Sequence, residues 1–240
     1  MKIGTLNIDW LKKSLELKKI IQQKIKEQDL DFLIVNENIL NFNFDENYFV
    51  YHSKSIPVKE EFQHLNYGIY LKGETPVRTS IYSKHKSVQE IRTIDPFTSI
   101  CHKFIIDDRE IIIYGTIIGT WGIKHQDEIA AVELANFKKD VQNILINNEY
   151  VFIVGDFNTS FFKSENRQLA TIKSREEIVT FTDNLNINRT TETIEHCIDH
   201  IFVSDKIKNQ AQVKTSTFLE NNILRDDPHK AISVELNFNS

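Results

Sequence analysis

The sequence predicts an α/β (α+β) chain built from β-sheets that helices cover on their outer faces, and three observations carry that expectation. Short hydrophobic and β-branched runs recur along the chain. Three amphipathic segments with helical spacing, at 11–28, 126–147 and 174–186, fall between blocks of those runs. No Pro/Gly/Ser-rich linker, repeat or low-complexity tract divides the 240 residues, so 1–240 reads as a single domain.

KIGTLNI at 2–8 reads as a strand with Asn7 and Asp9 at its C-terminal end. From Leu11 to Gln28, Leu11, Leu15, Ile21 and Ile25 share one helical face. Lysines crowd the other face, which reads as a solvated face ahead of one that binds nucleic acid. DLDFLIVNE at 29–37 is a buried strand that stops at Asn36 and Glu37. NYFVYHS, NYGIYLK, RTSIYSKH, SVQEIRTI, ICHKFIIDD and REIIIYGTII follow as a meander whose clearest tight turn is Asp107–Asp108. A helix is expected from Gln126 to Asn147, ended by Asn147 and Asn148. Ser174 and Glu177 form a capping-box pattern for the helix over 174–186. IDHIFVS, QVKTSTF and AISVEL return the chain to strands.

Composition narrows the class. A net charge of -5, from 29 basic and 34 acidic residues, argues against coating nucleic acid by charge alone, yet leaves room for a metal-using nuclease. The N-terminus has neither the apolar core nor the cleavage site of a secretory signal, and the apolar run at 111–121 is too short to span a bilayer. A monomeric cytoplasmic protein is expected. Cys101 and Cys197 lack CxxC spacing and read as buried thiols.

The chemistry lies at the strand ends. VFIVGDFN at 151–158 is an apolar strand that Gly155 is expected to close in a turn, followed by Asp156 and Asn158. A carboxylate there can take a proton while an amide donates to an oxyanion. An Asx-type turn has the same pattern. Similar polar ends occur at Asn7 with Asp9, at Glu37, at Asp199 with His200, and in RDDPHKAI at 225–232, which leads into a strand.

In order, K-I-x-T-x-N-I-D, D-F-L-I-V-N-E, V-G-D-F-N, I-D-H-I-F-V-S and D-P-H-K-A-I resemble the endonuclease/exonuclease/phosphatase (exonuclease III/DNase I-like) superfamily from residue 2 to about 236. The resemblance implies a four-layer α/β/β/α sandwich with two mixed sheets face to face. It implies that Glu37 binds metal and that Asn7 and Asp9 help to hold metal and substrate phosphate. It further implies that Asp156 activates water, that Asn158 contacts the phosphoryl oxygens, and that His229, oriented by Asp199, contacts the phosphate. Mg²⁺ or Mn²⁺ is the implied cofactor.

The pattern also departs from most relatives. Pro228 stands where an aspartate normally precedes the terminal histidine, leaving Asp227 as the nearest carboxylate for a metal. The strand before the long helix carries Thr116, Ile117 and Ile118 where other branches place a histidine or tyrosine, and no aromatic residue precedes the IDHI motif. An abasic-site repair role is therefore disfavoured. The expected activity is hydrolysis of phosphodiester bonds in DNA or RNA. Phosphatase or phospholipid and small-molecule phosphodiesterase chemistry stays open, as does a binding protein on the same fold.

Overall fold

The protein is described by a computed structural model that covers residues 1–10, 13–55, 75–119, 126–163, 172–219 and 229–238. In chain order the elements are β1 (Lys2–Asn7), α1 (Leu15–Glu27), β2 (Phe32–Ile39), β3 (Phe49–His52), β4 (Pro76–Ser83), β5 (Gln89–Glu90), β6 (Ser99–Ile106), β7 (Arg109–Ile117), α2 (Gln126–Asn147), β8 (Tyr150–Asp156), α3 (Ile172–Asn184), β9 (Asn188–Arg189), β10 (Asp199–Val203), α4 (Asp205–Gln210), β11 (Ala211–Thr217) and β12 (Ile232–Phe238). The strands form two six-stranded sheets, ordered β11-β12-β1-β2-β4-β3 and β5-β6-β7-β8-β10-β9. Each sheet is mixed, with a parallel pair near its middle, β1–β2 in the first and β7–β8 in the second.

Side-chain alternation assigns every central strand to two layers of packing. In β8, Phe152 and Val154 enter the cluster between the sheets, while Val151 and Ile153 turn to the helix side. β2 and β7 divide in the same way. Phe32, Ile34, Ile111 and Ile113 face the opposite sheet, and Leu33, Val35, Ile112 and Tyr114 face helices. On the outside of the first sheet, Ile21 and Ile25 of α1 pack over Leu6, Leu33 and Val35. On the outside of the second, Leu134, Phe137 and Val141 of α2 and Ile178 and Phe181 of α3 pack over Ile153 and Phe202. The four-layer α/β/β/α sandwich follows. Each fully buried Ile or Phe side chain contributes about 1.5–3 kcal/mol to holding those layers together.

Several elements differ from the sequence expectation. α1 starts at Leu15, capped by the Ser14 hydroxyl, which accepts the Leu17 N–H at 3.2 Å. Leu15 is 79% exposed and stays off the buried face, because the helix rests on the sheet only from Ile21 onward. The lysine side of α1 is solvated, with Lys24 paired to Glu27 within the helix. α3 is already helical at Ile172, so Ser174 lies inside it and does not cap it. The meander breaks after β4, which belongs to the first sheet while β5, β6 and β7 belong to the second. Only Gln89 and Glu90 of SVQEIRTI are extended, and NYGIYLK lies outside the described residues. The Asp107–Asp108 turn is confirmed: both residues have positive φ, 47° and 60°, and they join the Ile106–Arg109 pair as a two-residue hairpin.

Gly155 does not end its strand. It lies within β8, paired with Thr116 on one side and His200 on the other. Its φ is +146°, and a Cβ added there would sit 1.9 Å from the Thr116 carbonyl oxygen. The glycine is needed for close approach of β7 and β8 backbones, one residue before Asp156. Gly155→Ala is expected to lower folding stability by roughly 2–4 kcal/mol through backbone strain and overpacking. A urea titration checks this, and a midpoint equal to that of wild type would contradict it.

Candidate active site

Four polar residues continue the inward-facing register of four strands and meet at one end of the two sheets. Asn7 follows Ile3 and Thr5, Asn36 follows Phe32 and Ile34, Asp156 follows Phe152 and Val154, and Asp199 precedes Ile201 and Val203. Pairing then sets them side by side. Asn7 is opposite Asn36 in the first sheet, and Asp156 is opposite Asp199 in the second. The Asn7 Nδ2 donates to Asp156 Oδ2 at 3.0 Å and joins the two pairs across the sandwich. His200, one residue out of phase, points the other way. Its Nε2 lies 2.9 Å from the Thr159 carbonyl and its Nδ1 2.9 Å from the Thr191 hydroxyl, among Phe157, Phe161 and Phe202. Burial holds that imidazole neutral, down to a pKa of about 4, so it is a packing residue.

His229 arrives from the segment before β12. Its Nδ1 stands 3.2 Å from Asp199 Oδ2 and 3.9 Å from Asp156 Oδ2. The Lys230 backbone N–H donates to the same Asp199 oxygen at 2.9 Å. Burial works against charge on His229, but Asp199 and Asp156 outweigh it and raise the imidazole to about 9. Asp156 is raised to about 7, chiefly by burial, even though His229, the Asn7 amide and the Asn158 N–H all favour its charged form. Asp156 and His229 thus both bind protons more tightly than they would in water.

Asn158 serves both readings of VFIVGDFN. Its backbone N–H donates to Asp156 Oδ1 at 2.8 Å, which is an Asx turn, and its Nδ2 donates to the Ile118 carbonyl at 2.8 Å. The turn therefore orients the carboxylate. Asn158, Asp9 and Glu37 all have positive φ, at 47°, 38° and 53°. For residues other than glycine this conformation costs energy, and it gathers where side-chain direction matters more than comfort. At Glu37 it reverses the alternation of β2. Asn36 faces the opposite sheet, yet Asn38, two residues on, donates to the Tyr82 hydroxyl in the helix-side cluster. Glu37 stays half-buried and within electrostatic reach of His229. Asp9 is tied to the site by its backbone N–H, which donates to Asn7 Oδ1 at 3.0 Å. Asp227 and Pro228 lie outside the described residues.

Asp156, Asp199 and His229 offer ligand atoms that all lie within 4.8 Å of one another. Asp199 Oδ1 is buried and has no hydrogen-bond partner among the described residues. Hard, ionisable oxygens of this kind fit a divalent cation. This group is made of the residues given catalytic roles from the sequence, and Glu37 and Asp9 are outside it.

Asn36 was not picked out from the sequence. It is fully buried, and its Oδ1 accepts the backbone N–H of Asp156 at 3.1 Å. The available signal was an amide at an inward position directly after Phe32 and Ile34, where the pattern calls for a hydrophobe. Arg78 was also missed. It is fully buried in β4, between Val77 and Thr79, which pair with Asn38 and Asn36, and so lies across from Glu37.

A family model described as the Endonuclease/Exonuclease/phosphatase family matches residues 4–219. Among solved structures, the 3'-5' exonuclease NExo from Neisseria meningitidis superposes with a TM-score of 0.70 at 14% identity, over 99% of this chain and 100% of that one. The catalytic domain of human Nocturnin gives a TM-score of 0.70 at 15% identity, covering 100% and 94% of the two chains. An endonuclease/exonuclease/phosphatase family protein from Leptotrichia buccalis gives 0.65 at 16%, covering 99% and 100%. At these identities the likeness is one of fold. A search of curated proteins finds no match.

The two raised groups set a pH dependence of stability. Each takes up a proton on folding, so stability falls as pH rises, through Asp156 between its ordinary 3.8 and about 7, and through His229 between its ordinary 6.5 and about 9. The His229 part is complete below 6.5 and gone once pH has passed about 9. In chelator-treated protein, the stability advantage of wild type over His229→Gln is expected to shrink by on the order of 3 kcal/mol from about pH 6 to about pH 10. Urea denaturation across that range measures it. A constant difference would show that the imidazole is not held charged by the carboxylates.

Proposed function

Because the chain belongs to the endonuclease/exonuclease/phosphatase family, we propose that it is a Mg²⁺- or Mn²⁺-dependent hydrolase that cleaves phosphodiester bonds in DNA or RNA with an activated water. The observation that carries this reading is the buried Asp156–His229–Asp199 cluster, in which one acid is raised to about 7 and one base to about 9. Groups with such values are suited to accept and to stabilise charge near neutral pH. For nucleic acid as the substrate, support comes from a protein of the same fold: the Neisseria enzyme is named a 3'-5' exonuclease, and a variant of it is described as a 3' phosphatase bound to a product DNA hairpin.

Asp156 is the base. Asn7 on Oδ2 and the Asn158 N–H on Oδ1 fix the plane of its carboxylate, and each oxygen keeps a lone pair for the proton of water. His229 is held by Asp199 through Nδ1, and Nε2 makes no hydrogen bond to the described residues, so it is the atom that meets a phosphoryl oxygen. Charge grows on that oxygen as water adds, and an imidazolium aimed at it favours the transition state over the ground state. Asn158 spends one amide hydrogen on Ile118 and has a second for the phosphate. A polyanion approaching Glu37, Asp156 and Asp199 meets like charge, which a cation beyond His229 offsets. Glu37 and Asp9, with Asp227, would hold that divalent ion, which when bound supplies Lewis-acid stabilisation of the phosphoryl group.

Purified protein with Mg²⁺ or Mn²⁺ is expected to cleave single-stranded DNA, duplex DNA or RNA faster than phosphomonoesters. Asp156→Asn should lower kcat by ~10²–10⁴-fold. Glu37→Gln should raise the metal concentration required for half-maximal rate, which a Mn²⁺ titration reads directly. Turnover that survives in Asp156→Asn would remove Asp156 from the mechanism, and turnover confined to monoesters would make the protein a phosphatase.

A further inference from the structure

We infer that Asn36 is a positioning residue for hydrolysis: its carboxamide fixes the backbone of Asp156 from the opposite sheet and so aims the base. The inference rests on the function proposed above and adds a residue to it. Asn36 belongs to the first sheet, and two of its bonds, to the Asp156 N–H and the Thr116 carbonyl, are made as a peptide group would make them. Oδ1 accepts the Asp156 N–H at 3.1 Å, while Nδ2 donates to the Thr116 carbonyl at 3.0 Å and to the Thr79 hydroxyl at 3.0 Å. Thr116 and Asp156 sit on the adjacent parallel strands β7 and β8 of the second sheet. A side chain thus closes the ladder between those strands at the level of the base. Thr79 in turn donates to the Thr98 carbonyl at 2.7 Å, so each polar atom of the amide is committed.

This place leaves little room for movement. An added Cβ at Gly155 would collide with the same Thr116 carbonyl at 1.9 Å, and one at Gly115 would meet Thr79 Cγ2 at 3.0 Å and Ile34 Cγ2 at 3.4 Å. The Thr116 oxygen is therefore fixed by backbone from one side and by Asn36 from the other. A position that served packing alone, in line with Phe32 and Ile34, would be filled at less cost by a hydrophobe, since a buried amide is tolerable only when its partners are all in place. What the amide adds is direction. It pins the N–H of the residue whose side chain carries the chemistry, and small errors in such placement cost rate more than binding.

The test compares Asn36→Leu, which keeps volume and removes the amide, with Asn36→Gln, which returns an amide on a longer stem. Thr182→Val serves as a control for lost buried hydrogen bonding away from the network: Thr182 is fully buried in α3, and its hydroxyl donates to the Ile178 carbonyl at 2.8 Å. Rates on the nucleic-acid substrate and amide hydrogen exchange at Asp156, followed by NMR, are read in each. Asn36→Leu is expected to lose on the order of 10²-fold in kcat with KM within about twofold of wild type. Its Asp156 amide should exchange at least about tenfold faster. Asn36→Gln should recover part of the rate, and Thr182→Val should lose stability while keeping kcat within about threefold. Unchanged kcat in Asn36→Leu overturns the inference, as does an equal loss of kcat in Thr182→Val. If Asn36→Leu does not fold, the comparison of Asn36→Gln with Thr182→Val decides in the same way. If wild type hydrolyses no ester, the proposed function fails by itself, and an Asp156 amide equally protected in wild type and variant then overturns the strap.

Discussion

Two carboxylates set directly opposite one another on neighbouring strands, out of water, are the constraint around which the rest of this structure is arranged. Asp156 and Asp199 are cross-strand partners and both are essentially inaccessible to solvent. Like charges about 4 Å apart repel by roughly 4 kcal/mol even with generous screening, and burial adds the cost of stripping their hydration. The pair is tolerable because opposite charge and donors come to it from elsewhere in the fold. His229 and the Lys230 N–H arrive at the head of β12, Asn7 from the other sheet, and the Asn158 N–H from the next turn. None of these groups is local to both acids. Only the closed sandwich assembles them, so the cluster exists when the fold does, and its raised proton affinity comes from burial at Asp156 and from the neighbouring carboxylates at His229.

Legibility in the sequence follows the range of the interactions involved. The alternation of β8 and β10 is local, and it separates Asp199, which turns inward with Ile201 and Val203, from His200, which turns outward with Phe202. The helix over Gln126–Asn147 was legible because its apolar spacing and its terminal Asn residues lie in one stretch. What could not be read was pairing. That Asn36 bonds the amide of Asp156, 120 residues away, depends on how two sheets face each other, and no periodicity records this. The same holds for the break of the meander after β4, where the chain leaves one sheet for the other without a change in composition. Gly155 illustrates the middle case. A glycine before the polar pair signalled a special backbone, but whether it served a turn or a close approach depended on the neighbouring strand.

The charge distribution bears on how such a site meets an anionic ester. The chain is acidic overall, at -5, and the lysine-rich side of α1 is solvated and partly neutralised, by Glu27 within the helix and by Asp45 beside it. Exposed pairs of this sort contribute little to stability and leave only a weak field. Attraction of substrate therefore falls to groups at the site itself. There the described cationic side chains include His229, set among acids, and Arg78, buried across from Glu37, and a bound divalent ion would add further positive charge to the local field.

The strained residues make the same point from the backbone. Asp9, Glu37 and Asn158 each adopt a left-handed conformation, which Asp and Asn accept in ordinary turns and which costs most at Glu37. Each lies within two residues of Asn7, Asn36 or Asp156, whose own positions are fixed by pairing and by hydrogen bonds between the sheets. The rigid residue and the strained one therefore come in couples: the first anchors the strand end and the second spends conformational energy to turn a polar group where the strand would not point it. At Glu37 the effect is visible as a reversal of alternation in β2, which no hydrophobic pattern alone would produce. Such strain persists only where surrounding contacts over-determine the backbone. The closely packed sheets around Gly115, Gly155 and Asn36 supply that over-determination, which ties the stiffness of the core to the direction of the side chains at its rim.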